Sequence, residues 1–90
     1  MNNARRKELE KAKECIEEAK TKIEEAQDII DSCKTDEDDY RDSMPENLQE
    51  SDKYYASEEA SENMDQAIDA CSTMCDEMDE IINSIDAACE

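Results

Sequence analysis

Apolar side chains recur along nearly the whole chain in steps of three and four, interrupted at one place by the only proline in a sequence without glycine. From Leu9 the positions run through Ala12, Ile16, Ala19, Ile23, Ala26, Ile30 and Cys33, then resume at Tyr40 and Met44 after a break at Glu37. They continue as Ala60, Met64, Ala67, Cys71, Met74, Met78, Ile81, Ile85 and Ala88. Such spacing is a heptad seam, the pattern of two long amphipathic helices packed along one stripe. Pro45 has no amide proton to donate to a preceding turn and disfavours helix at Met44. The spacing therefore predicts an all-α antiparallel helical hairpin, a two-helix coiled coil: helix over 3–43, turn over 44–50 and helix over 51–89. Asn2 or Asn3 is placed to cap the first helix and Ser51 the second.

Arms of roughly 41 and 39 residues rise ~60 Å each at 1.5 Å per residue. Folding the chain about Glu46 and Asn47 sets Ile30 opposite Met64, Ile23 opposite Cys71, Ile16 opposite Met78 and Leu9 opposite Ile85. Tyr40 then meets Tyr54, and with Met44, Leu48 and Tyr55 the pair is expected to plug the tip. A further apolar row, Ile68, Cys75, Ile82 and Cys89, runs beside the second seam, and the first arm adds Cys15 and Ile29. One helix cannot cover two rows, so Ile68, Cys75, Ile82 and Ile29 are expected to form an oligomer interface. The expected product is a homodimer, a four-helix bundle. The alternative is that the row docks on a target protein.

The stretch "PENLQES" followed by "DKYYASEEA" resembles a PENLQ-x-S signature, with a nearby tyrosine and an Ala-Glu-Glu-Ala-like run, found in small uncharacterised helical proteins of Firmicutes and their phages. The resemblance covers roughly residues 40 to 70 and departs at Glu50, where those proteins commonly carry glycine. It implies a phage or mobile-element origin and supplies no catalytic residues.

Charge is segregated along the chain. Residues 1–34 hold eight basic and nine acidic side chains, a net of −1, whereas residues 35–90 hold two and nineteen, a net of −17. In the second arm Glu58, Glu62, Asp65, Asp69, Asp76, Asp79, Asp86 and Glu90 fall on three- and four-residue steps, with Ser72 and Asn83 in the gaps. They form a ridge whose members rise about 5–6 Å apart, a spacing comparable to that of phosphates along a nucleic-acid strand. Asp36, Glu37, Asp38, Asp39 and Asp42 add an acidic tip. One reading is a solvated face that favours solubility. The other is a surface that mimics nucleic acid and enters a basic groove, because like charges at i and i+3 or i+4 lower helix stability and a merely soluble helix gains from alternating lysines. The partner expected is a basic nucleic-acid-binding protein such as a nuclease effector, as for phage inhibitors of restriction or CRISPR nucleases. Direct contact with nucleic acid is opposed by the charge. A non-catalytic structural or adaptor coiled coil, or a helical cap on a phage assembly, needs only the seam.

Five cysteines would fit a disulfide scaffold in a secreted chain, but the number is odd and no export signal accompanies it. They are expected as free thiols acting as small apolar residues, with Cys33 and Cys71 on the seam. Cys71 and Cys75 lie four apart on one helix without histidine or a facing pair, so no metal is expected. "DEDD" lacks the glycine of a calcium loop. Without histidine, glycine or an aromatic pocket, no enzyme and no cofactor are expected. No apolar run reaches the length of a membrane span, and the expected location is the cytoplasm, that of a bacterial host if phage-encoded.

Overall fold

The computed structural model describes residues 1–90 as two long helices joined by a short bend, with no strand. Helix α1 spans Asn3–Asp42, a single 3-10 turn spans Glu46–Leu48, and helix α2 spans Asp52–Ala88. The pair lies antiparallel as a rod of 70 × 14 × 14 Å. At 1.5 Å per residue, 40 residues give about 60 Å, so the length of the rod is set by α1 plus the bend.

Local chemistry fixes the ends. The Asn2 side chain accepts from the Arg5 amide at 2.8 Å, and Ser51 accepts from the Tyr54 amide at 3.4 Å while its hydroxyl donates to Leu48 O at 2.6 Å. Each cap satisfies an amide that has no partner within the helix. In the bend, Leu48 N donates to Pro45 O at 2.9 Å and Ser51 N to Leu48 O at 3.0 Å. No residue takes a positive φ. The bend is therefore built from right-handed and extended backbone only, and Glu50 sits in it without needing a glycine conformation.

The two helices meet along Leu9, Ile16, Ile23 and Ile30 of α1 and Met64, Cys71, Met78 and Ile85 of α2, all half-buried. Each cross-helix contact joins residues almost equidistant from the bend. The second row on α2 differs from the sequence expectation. Ile68, Cys75, Ile82 and Cys89 are half-buried against α1, while Met74 and Ile81 are each 45% exposed. A heptad seam takes one row at i and a second at either i+3 or i+4, and this sequence offers apolar residues at both. Toward the open end the i+4 row is the more covered, and that rotation brings Asp79 and Asp86 within reach of lysines on α1; nearer the bend Ala60 and Ala67 of the i+3 row are half-buried as well, and Asp65 lies 3.9 Å from Lys34. Ile68, Cys75 and Ile82 thus take part in the contact inside the hairpin and stay partly exposed. Ile29, at 65% exposed, does face outward.

No hydrophobic side chain is fully buried. A seam between only two helices stays open on both sides, so each apolar residue is covered by one neighbour and left partly wet. The only buried residues are polar, Ser57 and Ser61.

Candidate functional site: the acidic edge of the hairpin

α1 carries Arg6, Lys13, Lys20, Gln27, Lys34 and Arg41 at seven-residue steps, on one side of the Leu9 row. α2 answers with Asp65, Ser72, Asp79 and Asp86, also at sevens. Lys13 Nζ lies 2.9 Å from Asp86, Lys20 Nζ 2.7 Å from Asp79, and Lys34 Nζ 3.9 Å from Asp65. The one neutral member of the cationic row, Gln27, falls at the level of Ser72, a gap in the acidic ridge, and donates instead to Ile68 O at 3.3 Å. The hydrogen bonds from Lys13 to Asp86 and from Lys20 to Asp79 push those ammonium pKa values up. The acidic arm therefore does alternate sign, but across the helices and not along one of them.

The ridge consequently divides into two rows. Asp65, Asp79 and Asp86 flank the seam and are tied to lysines. Glu58, Glu62, Asp69 and Asp76 are exposed and make no ion pair, and Glu58 and Glu62 line an open cleft with Lys34, Asp38 and Arg41 of α1. With Glu59, Glu80 and Glu90 they form the free acidic edge of the rod.

The acidic tip divides in the same way. Asp36, Asp39 and Asp42 are exposed, whereas Glu37 and Asp38 turn inward. Arg41 donates to Ser61 Oγ at 2.8 Å, Ser57 O at 3.1 Å, Ser57 Oγ at 3.3 Å and Asp38 at 2.8 Å. The Ser61 hydroxyl donates to Asp38 at 2.7 Å, the Ser57 hydroxyl to Glu37 at 2.8 Å, and Lys34 to Asp38 at 2.9 Å. Ser61, then Lys34 and Arg41, hold the Asp38 carboxyl well below the usual carboxylate range. This polar knot occupies the inner stripe where the seam is interrupted at Glu37. It also displaces the expected aromatic plug: Tyr40 is 53% exposed, Leu48 is 44% exposed, and Tyr54 packs edge-on against Tyr55 with centroids 6.0 Å apart. Tyr40, Met44, Pro45 and Leu48 line an open cleft at the tip instead.

All five cysteines are free. Cys71, Cys75 and Cys89 are half-buried, while Cys15 and Cys33 are exposed, so Cys33 lies beside the seam and not in it. Burial, followed by Glu24, pushes the Cys75 thiol pKa up. No group of three or more Cys, Asp or Glu side chains is placed to hold a metal ion, and no helix is long and apolar enough to cross a membrane.

The cationic row on α1 and the Ser57–Ser61 pair were not singled out from the sequence. The row is visible there as six residues at intervals of seven, once basic residues are scanned with the same period as apolar ones. No protein-family model matches the chain, and no curated protein or solved structure matches it either.

Proposed function

We propose that the protein is a non-catalytic inhibitor of the phage type, whose free acidic edge occupies a basic, nucleic-acid-reading groove on a host-defence or nucleic-acid-processing protein. The observation that supports this reading most is charge that the fold leaves uncompensated. After the lysine ladder is formed, the chain still carries a net −18. Over a rod 70 Å long that is one net charge per roughly 4 Å, close to the ~3.4 Å phosphate spacing along one strand of duplex DNA. The charge sits on a stiff helix, so a groove shaped for a nucleic-acid backbone meets it without having to order it first. Opposite charges accelerate encounter, and salt weakens it.

The test is capture from a bacterial lysate on immobilised protein beside a Glu62→Gln, Asp69→Asn, Asp76→Asn, Glu80→Gln variant. These four side chains pair with nothing in the hairpin, so helicity is expected to be kept or raised. Nucleic-acid-binding proteins retained by the wild type and lost with the variant support the reading. Equal retention by both contradicts it.

A second reading, a structural or adaptor coiled coil that forms a homo-oligomer, is favoured by one observation: Met74, Ile81, Ile29 and Tyr40 are all about half or more exposed.

A further inference from the structure

The flank of the hairpin away from the lysine–aspartate ladder is apolar, and the chain covers it only in part: Ala19, Ala26, Ala60 and Ala67 are half-buried, while Cys33, Tyr40, Met74, Ile81 and Ala88 are exposed. Relative to the Leu9 row, Lys13 and Lys20 sit on one side of α1 and Ala19, Ala26, Cys33 and Tyr40 on the other. Relative to the Met64 row, Asp65 and Asp79 sit on one side of α2 and Ala67, Met74 and Ile81 on the other. In an antiparallel pair the two ladder sides coincide, as the ion pairs show, so the two apolar sides coincide as well. At the open end Leu9 faces Ile81, Ile85 and Ala88 across a cleft that Glu77 and Glu80 also line.

We propose that this flank binds a second copy of the chain, flank against flank, closing a four-helix bundle. The inference names the occupant that the second reading above requires, and it does not depend on the acidic edge. Three observations select a second copy. The first is area: the hairpin exposes 6600 Å², against about 5,400 Å² for a compact monomer of 10.3 kDa. Each copy therefore exposes roughly 1,200 Å² more than a compact chain of its mass, surface that a closed bundle would reduce. The second is charge, because two chains of −18 can meet only where the net charge is low. Among residues 60, 63, 67, 70, 74, 77, 81, 84 and 88, which make up the α2 part of the flank and its rim, Glu77 alone is charged, with Glu80 beside it at the open end, and on the α1 part Arg5 and Lys22 offset Glu8 and Asp36. A flank-to-flank contact leaves both acidic edges on the outside. The third is shape: alanines alternate with Met74, Ile81 and Tyr40, so a two-fold arrangement can set large residues of one copy against small ones of the other.

Sedimentation equilibrium from low to several hundred micromolar tests the proposal, with the wild type, a Met74→Lys, Ile81→Lys variant, and an Asp69→Asn, Asp76→Asn control. The wild type should reach twice 10.3 kDa. The lysine variant should dimerise at least about tenfold more weakly, each copy losing two apolar contacts, while the control should dimerise as well or better. A companion measurement uses the unsubstituted protein alone, and so stands even if the lysine variant does not fold. Alkylation of Cys33, read by peptide mass, should slow as protein concentration rises. A helical monomer at all concentrations, a dimer indifferent to Met74 and Ile81, or a Cys33 equally reactive in monomer and dimer would each overturn it. None of these outcomes bears on capture through the acidic edge, so the two readings fail separately.

Discussion

Ser61→Ala isolates the polar knot that stands where a hydrophobic plug was expected. Ser61 is 6% exposed; its hydroxyl donates to Asp38 at 2.7 Å and accepts from Arg41 at 2.8 Å. Hydrogen bonds to charged groups contribute about 1.5–3 kcal/mol. The two do not add here, because Asp38 keeps Lys34 and Arg41, and Arg41 keeps Ser57. One such contribution, less the few tenths of a kcal/mol by which alanine improves on serine inside a helix, leaves a loss of about 1–2.5 kcal/mol. For a chain of this size each kcal/mol moves Tm by roughly 4–8 °C, so a fall of about 5–20 °C is expected. Since a 90-residue protein has only roughly 5–13 kcal/mol in total, the effect is large. Thermal unfolding followed by helical circular dichroism, at one fixed protein concentration, measures it, with the exposed Ser72→Ala as control. If Ser61→Ala melts at or above the control, the knot does not hold the arms together and the argument fails.

The depressed Asp38 carboxyl sets a pH dependence. A carboxylate held below its ordinary range stabilises the fold above about pH 3.9, and that contribution is lost as pH falls further. The stability gap between wild type and Asp38→Asn should therefore narrow on acidification below that point; a constant gap would contradict it. Salt should raise Tm, because screening relieves the uncompensated −17 of residues 35–90 more than it weakens a few partly exposed ion pairs; a fall in Tm with added sodium chloride would put the ladder in command. At low micromolar concentration, alkylation should reach Cys15 and Cys33 first and Cys75 late, since the latter is shielded and its thiolate disfavoured. All five should react in denaturant.

The hairpin was legible from period and punctuation alone. Pro45, the Asn2 and Ser51 caps and the repeating seam are local features, and local features suffice where the tertiary contact is one stripe against another. The rotation of α2 was not legible from apolar spacing. Met64 and Met78 are flanked by apolar residues at both i+3 and i+4, and hydrophobicity alone does not choose between Met74 with Ile81 and Ile68 with Ile82. The row of lysines on the other arm marks the rotation that the structure adopts. Reading α2 by itself made Asp65, Asp79 and Asp86 look like members of one free ridge. Beside Lys34, Lys20 and Lys13 they are ion-pair partners at the rim of the seam, about half or more exposed, and the unpaired edge contracts to Glu58, Glu62, Asp69 and Asp76. Glu37 carried a similar signal: a charge on the seam, at the level of Ser57, marks a polar layer where the apolar pattern fails.

The most direct test of the central claim is competition on a partner captured through that edge. The purified partner is titrated with this protein at increasing concentrations of an oligonucleotide it binds. If the acidic edge occupies the nucleic-acid groove, the apparent Kd rises in proportion to the oligonucleotide and no complex contains all three molecules. A stable ternary complex, with Kd unchanged by the oligonucleotide, would contradict the claim.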